Sequence, residues 1–212
     1  MDSGQAAPER RLRTGRLEAF SDGVFAVAIT LLVLEISVPA GSEDDLLDAV
    51  VDQWHSYLAY IVSFSTIGAL WLAHSAITDY LHQSNARLVR INLLLLMIVS
   101  FLPFPTRLLA EYLGKTGAAR VAVTIYGLTL MAALVLLSVL WRYAVSADLV
   151  RPDAADEEIE TLTTQLTPSL GAYAVMIVVG LFLPTVATLG YLVLAVALIV
   201  PFGLRKRAGA TS

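Results

Sequence analysis

The sequence predicts an all-α membrane protein of six transmembrane helices. Three observations carry that expectation. The 212 residues are 57% hydrophobic and 15% charged, with mean hydropathy +0.72; soluble domains hold about 45–50% apolar and about 25% charged residues. The apolar residues fall in runs near the roughly 20 residues that a helix needs to cross hydrocarbon. The Lys and Arg residues then divide unevenly between the connections, as membrane orientation requires.

The expected spans are 17–38, 54–77, 88–109, 119–143, 168–183 and 185–202. The last two are separated at Pro184, where a fixed φ and a missing donor favour a break. As one helix, 168–202 would measure about 50 Å, against a hydrocarbon core of about 30 Å. With the N-terminus in the cytoplasm, the inner segments hold Arg10, Arg11, Arg13, Arg16, Arg87, Arg90, Arg142, Arg151, Arg205, Lys206 and Arg207, while the outer loops hold Arg107, Lys115 and Arg120. Both termini are therefore expected in the cytoplasm, and the protein in the plasma membrane. This gives a cytoplasmic tail at 1–15, a six-helix domain at 16–204 and a basic cytoplasmic tail at 205–212. The first sixteen residues are polar and Arg-rich, unlike a cleavable signal.

Between spans one and two, "AGSEDDLLDAVVDQW" pairs Ser42 with Asp45 as a capping-box-like start. Leu46, Leu47, Val50, Val51 and Trp54 then recur at helical spacing, an amphipathic extension of span two. The inner segment "RPDAADEEIETLTTQLTP" reads as a short helix or a polar linker.

Composition excludes several functions. There is no Cys and there are three His (His55, His74, His82), so no disulfide, thiolate metal site or thiol chemistry is expected, and no cofactor. The formal net charge of −4 argues against a nucleic-acid partner. An enzyme needs a cluster of acid, base or metal groups; the one candidate pair is Asp22 with His74.

Polar groups at membrane depth are costly and mark functional sites by default. Span one carries Glu18, Ser21, Asp22 and Thr30; span two Ser63, Ser65, Thr66, Trp71 and His74; span three Asn92 and Ser100; span four Thr124, Thr129 and Ser138. Asp22, His74, Trp71 and Asn92 all lie one to two turns from the cytoplasmic face, with Arg16 able to reach the same layer. A satisfied structural network and a proton relay through Asp22 and His74 both fit that layer. Thr30 interrupts an otherwise apolar stretch, and a lone Thr in such a helix usually bonds back to its own i−4 carbonyl. Alternatively it faces water, in one stripe with Val27, Leu31 and Leu34; an apolar constriction of that kind gates by dewetting.

These residues resemble a known family. "RLEAFSD" fits an Arg-x-x-x-Phe-Ser-Asp motif through Arg16, Phe20, Ser21 and Asp22. "GVFAVAITLLVLEI" resembles the first helix, and "LWLAHSAI" with Trp71 and His74 the second-helix signature, of bacterial members of the lysosomal potassium channel family, transmembrane protein 175. The resemblance implies a potassium-permeable channel, assembled as a homotetramer around a central pore lined by the first helix. It implies an apolar constriction at Val27, Leu31 and Leu34, a hydroxyl layer linked to selectivity at Thr30, and contacts of the Arg-x-x-x-Phe-Ser-Asp residues with Trp71 and His74. Relatives often have a larger Ile or Leu where this chain has Val27. Potassium is then the permeant ion, with modest preference over sodium, because apolar side chains replace little of its hydration shell. The partners are the lipid bilayer and further copies of the chain.

"TLGYL" at 188–192 echoes an ordinary potassium-channel filter. It lacks the final Gly and a preceding pore helix, and reads as the start of span six. Glu35, Glu43, Asp44 and Asp45 form an acidic patch at the outer mouth, either concentrating cations or a solvated face. The competing function is a proton-coupled secondary transporter using Asp22 and His74. The inverted repeats and midplane helix breaks common in transporters are missing from the sequence, apart from Pro103, Pro105 and Pro184.

Overall fold

The structure is a computed structural model; it describes residues 14–37, 41, 44–115 and 117–208. Among these the regular structure is helical apart from isolated bridge residues, of which Leu81 pairs antiparallel with Val150. The helices are α1 (Thr14–Leu31), continued by a 3₁₀ turn (Leu32–Glu35), α2 (Leu46–Asp52), α3 (Trp54–Tyr80), α4 (Ala86–Phe101), α5 (Pro103–Tyr112), α6 (Ala118–Ser146), α7 (Asp156–Gly180) and α8 (Pro184–Ala208). Five segments are long and apolar enough to cross a membrane: Thr14–Glu35, Trp54–Tyr80, Ala86–Tyr112, Ala118–Ser146 and Ile159–Gly180. Pro184–Val200 is a shorter apolar helix.

The boundaries differ from expectation at two places. The third span breaks at Leu102, because Pro103 and Pro105 each lack the N–H that would continue the ladder. Leu102 keeps αR backbone and its N–H bonds Val99 O at 3.1 Å, a tightened turn from which Pro103 opens α5. The fifth begins at Asp156 and runs through Pro168, so the acidic linker is the first part of α7. The expected amphipathic extension is α2, with Leu46, Leu47 and Val51 exposed. Asp45 caps it without a side-chain bond; Ser42 lies outside the described residues.

The core follows α3, which packs against α1, α5, α6 and α8, while α7 packs between α6 and α8. One end of the bundle, marked by Arg87, Arg142 and Arg151, is stitched together by backbone. His82 N–H bonds Leu149 O at 2.9 Å and Arg151 N–H bonds Tyr80 O at 2.9 Å. That register depends on the end of α6. There Leu149 N–H reaches Ala144 O and Asp148 N–H reaches Val145 O, a Schellman pattern that places Asp148 at φ 53°. The opposite end carries Asp44, Asp45, Asp48 and Asp52 with α2.

On the far side from α1, Tyr126, Tyr173 and Tyr191 are fully buried together, with ring centroids 5.6 and 5.8 Å apart. A chain of hydroxyls feeds this cluster: Thr106 Oγ1 bonds Ser63 Oγ at 2.8 Å, and Ser63 bonds the Tyr126 hydroxyl at 3.1 Å. The Tyr191 hydroxyl has no partner and faces Gly127, where a Cβ would overlap it and lie 2.7 Å from Ile177 Cγ1. Gly127→Ala is therefore expected to cost about 1–3 kcal/mol by overpacking. Tyr191→Phe, which deletes a buried unpartnered hydroxyl, is expected to be neutral or stabilising and to recover part of that loss in the double variant. Thermal unfolding in detergent reads both, and an unchanged Tm for Gly127→Ala would contradict this packing.

Candidate functional site

The polar residues of α1, α3 and α4 meet in one layer. Ser21 is fully buried and donates its hydroxyl to Leu17 O, 2.8 Å away on its own helix. A backbone carbonyl only accepts, so the single Ser21 proton is committed there, and Ser21 Oγ must accept from Asn92 Nδ2 at 2.9 Å. Asn92 consequently turns its Oδ1 to His74 Nε2, 2.8 Å away, and that nitrogen carries the imidazole proton. All three side chains are at least 99% buried. His74 Nδ1 is left with a lone pair and no partner, beside the Phe25 ring at 5.5 Å between centroids.

Asp22 stands apart from this chain. It is exposed in the protomer, and its Oδ1 accepts the Trp71 indole N–H at 2.9 Å. The two strands of the network thus fix α1 to α4 through Ser21 and to α3 through Asp22. Arg16 and Phe20 are exposed, and no described hydrogen bond or ion pair joins either to this layer.

Where α1 touches the bundle, it does so along one stripe: Ser21, Phe25 and Ala28, continued by Leu32 in the 3₁₀ turn, are buried. Only 22% of its most apolar window is buried. The opposite face is uncovered. Val27 is 57%, Leu31 41% and Leu34 71% exposed, and Thr30 is exposed between them. Thr30 bonds back to its own helix, at i−3 rather than i−4: its hydroxyl donates to Val27 O at 2.9 Å. The proton is therefore turned inward, and the oxygen lone pairs stay open to whatever faces the helix. Beside this face runs an apolar groove of about 480 Å³ between Phe20, Val27, Leu31 and Ser100.

Glu35 ends the 3₁₀ turn and pairs with Arg107; Asp44 and Asp45 precede α2; Glu43 lies outside the described residues. "TLGYL" lies inside α8 with helical backbone, Thr188 donating to Pro184 O at 2.9 Å. Among the described residues no group of His, Asp and Glu is placed to hold a metal ion. Three partners were not legible beforehand: Thr106 and Tyr126 on Ser63, and Arg107 on Glu35. Each lies more than forty residues away in sequence, with no local pattern to mark it.

Residues 16–103 match the model of the family described as endosomal/lysosomal potassium channel TMEM175. A potassium channel of Chamaesiphon minutus is 43% identical over 173 residues, covering 80% of this chain and 84% of the relative. A potassium channel of Streptomyces collinus is 46% identical over 129 residues, covering 60% of this chain and 63% of the relative. The chicken endosomal/lysosomal proton channel TMEM175 is 37% identical over 110 residues, or 48% of this chain; the match spans 22% of that longer protein. Among solved structures, the crystal structure of a lysosomal potassium-selective channel TMEM175 homolog from Chamaesiphon minutus superposes with a TM-score of 0.81 at 37% identity, covering 89% of this chain and 97% of that one.

Removing Asn92 leaves the buried His74 Nε2–H without its acceptor and takes the donor from Ser21 Oγ, which keeps its bond to Leu17 O, whereas Trp71→Phe deletes one bond to an exposed carboxylate. Asn92→Ala is expected to cost about 2–4 kcal/mol and Trp71→Phe about 1 kcal/mol. Thermal unfolding in detergent checks the order; Trp71→Phe as damaging as Asn92→Ala would contradict it.

Proposed function

Because the chain belongs to the TMEM175 family of ion channels and is not an enzyme, we propose that it conducts potassium along the uncovered face of α1. The observation that carries this reading is that face itself: an apolar stripe of Val27, Leu31 and Leu34 holding one hydroxyl whose lone pairs point outward. Gathered around an axis in an assembly of four copies of the chain, this stripe makes a narrow apolar path with one ring of oxygen atoms. The apolar residues impose a dewetting barrier. The Thr30 oxygens replace part of the hydration shell of a potassium ion. One partial layer of ligands gives modest preference for potassium over sodium, less than a filter built of successive carbonyl rings. The basic end of the bundle faces the cytoplasm, by the excess of Lys and Arg there, with six crossings of the plasma membrane and both termini in the cytoplasm.

The proton-coupled transporter is the weaker reading, and the direction of the buried chain is the reason. Its donors run His74 to Asn92 to Ser21 and stop at Leu17 O. An amide sits in the middle and a backbone carbonyl at the end, so no group is poised to pass a proton onward. The layer fits a clamp that holds α1 in place.

Leu34→Asn and Val27→Asn are expected to raise potassium current several-fold by wetting the constriction. Thr30→Val is expected to shift the reversal potential under opposed potassium and sodium toward zero. Single-channel recording in planar bilayers reads all three, and unchanged currents in both Asn variants would remove the pore assignment.

A further inference from the structure

Beyond the constriction, the 3₁₀ turn carries Glu35 one residue past Leu34, into a cavity of about 710 Å³ at the acidic end of the bundle. Arg107 of α5 points its Nε at Glu35 Oε2, 3.8 Å away. The cavity also holds Asp52, His55, Glu111 and Lys115. His55 stacks on Trp54 at 3.6 Å between centroids and lies against Gly114. The Lys115 amine sits 4.8 Å over the Tyr112 ring. Among the described residues Arg107 is the cation within ion-pair distance of Glu35. Its side chain is 68% exposed, against 21% for Glu35. A pair so exposed adds little to stability, so holding the fold does not account for it.

We propose that Arg107 sets how strongly the outer mouth of the pore attracts cations, by compensating Glu35. The inference rests on α1 lining the ion path. On that path Glu35 is the first fixed charge beyond the apolar stripe, and alone it would concentrate potassium at the mouth.

Single-channel potassium conductance tests this at about 0.01 M salt, where charges act over about 30 Å, and at about 1 M, where they act over about 3 Å. Arg107→Gln is expected to raise low-salt conductance about twofold and leave the high-salt value unchanged; Glu35→Gln is expected to lower it by a similar factor. The double variant returns toward the wild type, and Arg107→Lys matches it. The same ratio of low-salt to high-salt conductance in all variants would overturn the proposal. So would changes that persist at high salt, which would make the pair a strut for the helix end. Leu34→Asn runs alongside. If it raises the current while the salt dependence stays fixed, the pore reading stands and this inference alone fails. If it too changes nothing, the pore reading falls and takes the inference with it.

Discussion

A serine hydroxyl bonded to a backbone carbonyl sets the direction of the buried network on which α1 depends. Because Leu17 O can only accept, Ser21 must accept from Asn92, and Asn92 must accept from His74. At membrane depth no water replaces a lost partner, so the sequence of donors allows little slack. The chain anchors α1 by one stripe near its first turns and leaves the rest of its circumference bare. A helix buried on more than one side could not present Val27, Thr30, Leu31 and Leu34 together. The polar layer and the apolar face are two consequences of the same placement.

The other end of α1 is held differently. The 3₁₀ turn packs on α3 and α5, and Leu32 is fully buried there. Behind it, Thr106, Ser63 and Tyr126 satisfy one another across α5, α3 and α6. The helix is thus fixed at its basic end by side-chain hydrogen bonds and at its acidic end by apolar packing, to which the exposed Glu35–Arg107 pair adds little. The acidic end is the softer attachment, since exposed ion pairs contribute little.

Much of this was legible in the sequence, for physical reasons. Hydropathy and the Lys and Arg distribution locate apolar helices because the bilayer imposes a length and a charge asymmetry. The layer of Ser21, Asp22, Trp71, His74 and Asn92 was legible because polar residues at one depth must find one another. Arg16 was expected to reach that layer and is exposed, with no described hydrogen bond or ion pair to it, since a long side chain near a helix start has solvent as an alternative partner. The break at Leu102 escaped because hydropathy continues smoothly across Pro103. The start of α7 escaped because acidic, polar residues read as a linker although nothing prevents them from being helical. The tyrosine cluster escaped because Tyr126, Tyr173 and Tyr191 are brought together by packing alone.

The chain has no cysteine, which makes one measurement direct. Cysteine placed singly at Val27, Thr30, Leu31 and Leu34 would be challenged with a charged, water-soluble thiol reagent during potassium current recording. Val193, exposed on α8, serves as the comparison site. An ion path along α1 predicts that the four α1 positions react and reduce the current while Val193→Cys leaves it untouched. Equal insensitivity at all five positions would place the uncovered face of α1 in lipid and contradict it as the lining of the pore.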